Sequence, residues 1–233
     1  MKLAIMQPYF LPYIGYFQLI NAVDEFVVYD NIEFTKKGWI NRNRILVNGK
    51  PAYITLPVKN DSDYLAVKER RLADSWHTDR VKMLNRITES YRKSPNFDSI
   101  YPMIAKCIFF EDTNLFEFVL HSLNTVKNYL GIQTSLLISS SIPIDHTLKA
   151  ENKVIALCKE RQANTYLNPI GGTGLYDKDR FRNEGIDLRF LKSNECSYRQ
   201  YNNDFIPWLS ILDVMMFNSR NEICRLLALF SLQ

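Results

Sequence analysis

At 233 residues the chain is long enough to bury a sizeable core, as one large domain or two small ones. Its 46% hydrophobic and 23% charged residues are an ordinary globular balance, without the ~18-residue apolar run of a membrane span or the basic, apolar opening of a signal peptide. A net charge of +4 is too small to imply nucleic-acid binding, and four scattered cysteines, with no close pair, point to reduced thiols in a cytoplasm rather than a disulfide scaffold or a zinc site. The charge is unevenly spread. Between Glu33 and Lys93 stand 14 Lys or Arg against 7 Asp or Glu, which leaves the remainder slightly acidic. A locally basic segment suits an anionic small-molecule group such as a pyrophosphate, or a plain solvated face.

The elements follow in chain order. Leu3 to Met6 reads as a buried strand. Tyr13, Tyr16, Phe17 and Ile20 then recur at helical spacing. Gly15 interrupts that helix at a cost of about 1 kcal/mol against alanine, which implies that something packs closely there. Glu25 to Tyr29 is a second strand. In "RILVNGKPAYITLPV" alternation around Asn48-Gly49 predicts an antiparallel hairpin over 44–58. Three helices follow, over 76–92, over 98–110, and from Thr113 or Asn114 to a C′ glycine at Gly131. Strand and helix then alternate: strand 135–139, helix 147–161, strand 165–167, helix 176–183, strand 188–191. Two closing helices span 207–217 and 221–230. This order predicts an α/β fold with a mainly parallel, doubly wound, Rossmann-like sheet. The simplest organisation is one domain over 1–233, with an inserted hairpin-plus-helices region at about 34–130.

In such a sheet, ligands bind beyond the carboxyl ends of the strands. Three unusual stretches fall there. After the first strand come Gln7, Tyr9, Tyr13 and Tyr16, framed by Pro8 and Pro12. The amide can donate and accept, and the flat phenols suit a nucleobase or sugar ring; Tyr13 and Tyr16 could equally cover the core. After the second strand, "YDNIEFTKKGWINRNR" surrounds Trp39 and Asn41 with Lys36, Lys37, Arg42 and Arg44, which could hold phosphate oxygens or form an exposed basic loop. After the strand at 165–167, Gly171, Gly172 and Gly174 precede Tyr176. This could bring backbone amides to an anion or be a plain turn, and it matches neither a Walker A motif nor a dinucleotide fingerprint. Ser139 to Ser141, at another strand end, could also meet phosphate. His77 and His146 stand near helix starts as candidate general bases or surface caps, and His121 lies on a core-seeking helix. The histidines have no metal spacing, and no nucleophile elbow is present.

Taken together, "QPYFLPYIGYFQLINAVDEFVVYD", "KKGWINRNRI", "YLNPIGGTGLYD", "GIDLRFL" and "FIPWLSILDVMMFNS" resemble the WbqC-like family in order and over nearly the whole chain. Tyr13 stands where that family usually has tryptophan. The resemblance implies a bacterial cytoplasmic protein of O-antigen or other surface-polysaccharide (lipopolysaccharide) synthesis, with a suggested glycine transferase role. The implied substrate is a nucleotide-linked amino sugar whose amine receives an amino-acid or other acyl group. The donor stays open between a free amino acid with ATP, aminoacyl-tRNA and acyl-CoA. Asp30, at the end of the second strand, is the first candidate base on this reading, with His77 and His146 behind it. A non-catalytic sugar-nucleotide-binding or scaffold protein of the same machinery is the alternative. The first unit is also similar to the nucleotidylyltransferase-like fold. However, Tyr13-Ile14-Gly15-Tyr16 stands where that group has His-x-Gly-His, so its chemistry is not carried over. That likeness of fold makes ATP-dependent amide formation through an acyl-adenylate conceivable.

Overall fold

The computed structural model describes residues 1–202 and 204–233. In chain order its elements are β1 (Lys2–Met6), α1 (Ile14–Asn21), β2 (Glu25–Val28), β3 (Arg42–Val47), β4 (Lys50–Thr55), α2 (Trp76–Tyr91), α3 (Phe97–Ile108), α4 (Leu115–Leu130), β5 (Ser135–Ile138), α5 (Ala150–Glu160), β6 (Thr165–Pro169), α6 (Lys178–Asn183), β7 (Asp187–Ser193), α7 (Ile211–Phe217), α8 (Arg220–Leu227) and β8 (Phe230–Leu232). Six strands form one sheet in the order β5-β2-β1-β6-β7-β8. The first five run parallel and β8 pairs antiparallel with β7 at the edge. The sheet is therefore mainly parallel and mixed with helices, as the alternating pattern predicts.

Side chains alternate across the strands and bury both faces. Ala4, Phe26, Val28, Leu167 and Leu191 face a large core shared with α1, α4, α7 and α8, which runs on into the hairpin, α2 and α3. Leu3, Ile5, Val27, Tyr166 and Leu188 face a smaller core against α5 and α6. Helices thus cover both faces. The β3–β4 hairpin turns on Asn48-Gly49, with Val47 opposite Lys50. Both turn residues have positive φ (49° and 73°), the requirement of a type I′ turn. Asn114 caps α4 by accepting from Phe116 N and Glu117 N, and Gly131 ends it at φ 75°.

Three elements differ from the sequence expectation. Helix α5 starts at Ala150 rather than Thr147, because the Asp145 carboxylate holds the Thr147 amide and hydroxyl in a turn (2.9 and 2.6 Å). Helix α7 starts at Ile211 rather than Pro207, with Ser210 Oγ accepting from Leu212 N at 3.2 Å. The last helix ends at Leu227, and Phe230 to Leu232 extend as an edge strand on β7.

Candidate functional site

Strand order reverses between β1 and β6: the chain steps outward from β1 to β2 and β5, then returns to β6 and β7 on the other side. The crevice of such a sheet opens beyond the carboxyl ends at this reversal. Pairing of Val28 with Ile138 carries Asp30 out beside Ser140, and pairing of Met6 with Val28 places the β1–α1 turn next to them.

The β1–α1 turn is built on aromatic packing. Tyr16 is core: it is 2% exposed, packs on Phe17 and Phe26, and its hydroxyl donates to the Gln7 carbonyl at 2.9 Å. Tyr9 packs on Tyr16 with ring centroids 5.6 Å apart. The Tyr13 ring lies on the start of α1 over Gly15, where an added Cβ would meet Tyr13 Cε2 at 2.3 Å. This close approach is what the helix glycine permits. Tyr13 also meets Trp208 edge-on at 5.6 Å. Leu11 (φ 41°) and Trp208 (φ 62°) both occupy the left-handed region, at a cost of about 1–3 kcal/mol each. They are held there by hydrogen bonds between the two loops: Ser210 Oγ donates to Leu11 O (2.7 Å), Ile211 N to Pro12 O (2.8 Å), and Arg44 Nη2 to Trp208 O (3.2 Å).

Tyr13 and Trp208 stand between two cavities. One, of about 320 Å³, is lined by Tyr9, Tyr13, Trp39, Arg44 and Trp208. The other, of about 420 Å³, is lined by Tyr13, Cys196, Tyr198, Phe205 and Trp208. Trp208 is 59% exposed and Trp39 37%. The Arg44 guanidinium lies 5.5 Å from the Trp39 ring centroid, and its buried Nε has no hydrogen-bond partner among the described residues. Burial raises the phenol pKa values of Tyr9 and Tyr13 above 10.0, so both remain hydrogen-bond donors at neutral pH. Flat faces, an arginine and phenolic donors make a cleft suited to rings with polar edges.

At the carboxyl ends of β2 and β5 lies a polar cluster. Asp30 is 1% exposed. Its Oδ1 accepts from Ser140 N at 2.8 Å and its Oδ2 from Ser140 Oγ at 2.5 Å, with Lys68 Nζ 3.9 Å away. Ser139 Oγ donates to Asn31 Oδ1 (3.1 Å) and Asn31 Nδ2 to His146 Nδ1 (3.0 Å); this places the His146 proton on Nε2, which donates to Ile142 O. Lys153, on α5, is 7% exposed and its Nζ sits 5.3 Å over the Tyr29 ring. Desolvation lowers its pKa, against the pull of Asp30 and with the push of Lys149 and Lys68.

The other predicted residues divide. Lys36 pairs with Asp63 at 2.6 Å. Arg42 donates to Gly38 O (3.0 Å) and Lys37 O (2.5 Å), so the basic loop spends these charges on itself, while Lys37 is exposed. Asn41 is buried and donates to Leu56 O, with its Oδ1 unpartnered among the described residues. Gly172 packs on Asn168: a Cβ there would meet Asn168 Nδ2 at 2.0 Å, whereas Gly171 faces open space. Asn168 accepts from Tyr166 OH, and Tyr176 packs edge-on against Tyr166 at 5.7 Å. His77 is exposed on the first turn of α2 in the hairpin-and-helix segment, on a different element from the Asp30 cluster. The residues that sequence reasoning left out are Trp208, Lys68 and Lys153. Lys153 carried one signal, a lysine four residues before Leu157 on the buried stripe of its helix. Another cavity, of about 540 Å³, lies at the opposite ends of the strands, against Asn164, Ile186 and Asp187, where Arg182 and Arg189 are paired with Asp179 and Asp187. Its position at the amino ends and its paired cations make the carboxyl-end crevice the better candidate.

Residues 7–224 match the WbqC-like protein family. The chain is 32% identical over 223 residues to the uncharacterized protein Rv1507c of Mycobacterium tuberculosis, a span covering 93% of each. No solved structure matches it.

Proposed function

The chain belongs to the WbqC-like protein family, and we propose on that premise that it forms an amide on the amino group of a nucleotide-linked amino sugar in O-antigen biosynthesis, as an acyl or aminoacyl (including glycyl) transferase or ATP-dependent ligase. The observation that carries the reading is the pairing of a ring-binding cleft (Tyr9, Tyr13, Trp39, Trp208) with a cluster of charge (Asp30, Lys68, Lys153) at the same end of the parallel sheet. A sugar nucleotide has these two parts, flat rings and an anionic diphosphate.

The chemistry needs a neutral amine. With ATP as activator, the amino-acid carboxylate first displaces pyrophosphate to give an acyl-adenylate. The sugar ammonium then gives up a proton, its nitrogen attacks the acyl carbon, and the bond to the leaving group breaks as the nitrogen loses its second proton to that group or to solvent, releasing AMP, tRNA or CoA according to the donor. Asp30 is the proposed proton acceptor. A carboxylate has lone pairs beyond the two that Ser140 fills, and the Ser140 bonds fix its orientation. The test is to incubate the purified protein with a dTDP-linked 4-amino sugar, supplying glycine with ATP, aminoacyl-tRNA or acyl-CoA in separate reactions. Mass spectrometry should find the acylated sugar nucleotide with one of them. An unchanged sugar under every donor would contradict the proposal.

The engaged state of the bases favours a second reading. His146 has both ring nitrogens bonded and Asp30 both oxygens, which suits a non-catalytic binding or scaffold protein using the same crevice. Tight calorimetric binding of the sugar nucleotide, without product after long incubation, selects that reading.

A further inference from the structure

We infer that Lys68 and Lys153, reaching in from opposite sides of Asp30, form a phosphoryl-binding site at the carboxyl ends of β2 and β5. Nothing in the sequence pairs these residues. Lys68 comes from the short turn Val67–Glu69, tied to β2 by its backbone amide donating to Asp30 O at 3.0 Å. Lys153 comes from the first turns of α5, on the other side of the sheet.

As a residue Lys153 is 7% exposed: its stem is buried and its ammonium end reaches solvent, where among the described residues it makes no hydrogen bond and no ion pair. Desolvation still disfavours that charge, and an anion arriving beside it would favour it. Asp30 attracts Lys153 without bonding to it, and it is one carboxylate shared with Lys68, whose ammonium stands 3.9 Å from one of its oxygens. Lys149 adds a third positive charge near Lys153, and both ring nitrogens of His146 are engaged, by Asn31 and the Ile142 carbonyl. The acid on this turn of α5, Glu151, is turned away to Asp177 N (2.8 Å) and Arg180 (2.9 Å). Lys68 and Lys153 therefore share one carboxylate, with the exposed Lys149 adding positive charge nearby. The first amides of α5 carry no side-chain cap and add the positive end of an 11-residue helix.

Two of the other stretches where a phosphate might sit have their donors engaged. The serine run has no hydroxyl proton to offer: Ser139 donates to Asn31, Ser140 to Asp30 and Ser141 to Ile138 O. In the basic loop Arg42 bonds the carbonyls of Gly38 and Lys37, and Lys36 pairs with Asp63 outside it. The occupant, the diphosphate of a sugar nucleotide or the phosphates of ATP, rests on the function proposed above; the site itself rests on the lysines.

The experiment is calorimetric titration of the full chain with inorganic pyrophosphate at low ionic strength, where screening is weak. Lys153→Met keeps the buried stem and removes the charge, Lys68→Ala removes a half-exposed partner without touching the core, and Lys37→Ala reports on the basic loop. Wild type should bind. Lys153→Met and Lys68→Ala should each lose about 10- to 150-fold in affinity, the value of one charged hydrogen bond, with Lys37→Ala unchanged. Competition by dTDP supports the site and assigns it to the acceptor; competition by ATP supports it and assigns it to the donor. Loss of binding in Lys37→Ala with retention in both other variants, or no binding by wild type, overturns the site. Intact pyrophosphate binding with no acylated product would instead count against the proposed reaction and leave the site standing.

Discussion

Gly15→Ala separates folding from binding in the aromatic cleft. The added Cβ would lie 2.3 Å from Tyr13 Cε2, 2.6 Å from Cζ and 2.7 Å from the phenol oxygen. Carbon atoms in contact want about 3.5–4.0 Å, so the ring must move by about 1 Å or more. Two stability effects then oppose each other. Alanine gains up to about 1 kcal/mol of helix propensity over glycine. Losing the edge contact of Tyr13 on Trp208 costs about 0.5–1.5 kcal/mol. The net change is within about 1 kcal/mol of zero, a shift in melting temperature of about 4 °C at most for a chain of this size. Binding has no such cancellation. Tyr13 lines both cavities, and losing one aromatic contact to a ligand ring costs about 0.5–1.5 kcal/mol, or about 2- to 12-fold in affinity. Differential scanning calorimetry and titration with a dTDP-linked amino sugar measure the two quantities on the same sample. Near-wild-type melting with weakened binding is expected. Unchanged binding at unchanged stability would refute the placement of a ligand ring against Tyr13.

Three further outcomes follow from the packing. Asp213 is buried and accepts from Tyr91 OH (2.7 Å), Tyr198 OH (2.7 Å) and Gln200 Nε2 (2.6 Å), so Asp213→Ala should cost about 2–5 kcal/mol in urea unfolding by orphaning two phenols; a loss under 1 kcal/mol would mean the network is not a fastener. Burial raises the Asp213 pKa above 3.8 despite those bonds. Its contribution to stability is therefore full below pH 3.8 and is lost as pH rises through the folded value, so wild-type stability relative to Asp213→Asn should fall with rising pH in that window, and a gap that widens would contradict the sign. Gly172→Ala should push the Asn168 amide off its site; a two-dimensional NMR spectrum should show shifts at Tyr166 and Tyr176, and an undisturbed spectrum would mean that the turn yields instead.

The framework could be read from the sequence because local chemistry dictates it. Asn48-Gly49 fixes the hairpin, Asn114 and Gly131 bound their helix, and the apolar strands between helices imply the parallel sheet and hence the end at which a crevice opens. Gly15 announced a close contact without naming its partner, which is Tyr13 two residues before it. What could not be read is which polar atoms are already spent. The basic loop looked free, but Arg42 folds back on Gly38 and Lys37. The serines looked like donors to a ligand, but point inward to Asp30 and Asn31. Trp208 is positioned by loop-to-loop hydrogen bonds between residues far apart in the chain, and Lys68 meets Lys153 only through the strand order. The edge strand at Phe230 to Leu232 escaped because its apolar residues continue the stripe of the preceding helix.

A crystal structure with a dTDP-linked 4-amino sugar bound tests the central claim most directly. The ligand's rings should lie against Tyr13, Trp39 and Trp208, its phosphates at Lys68 and Lys153, and its amino nitrogen within hydrogen-bond reach, about 2.6–3.2 Å, of the Asp30 carboxylate. A ligand seated at the amino ends of β6 and β7, against Asn164 and Arg189, would contradict it.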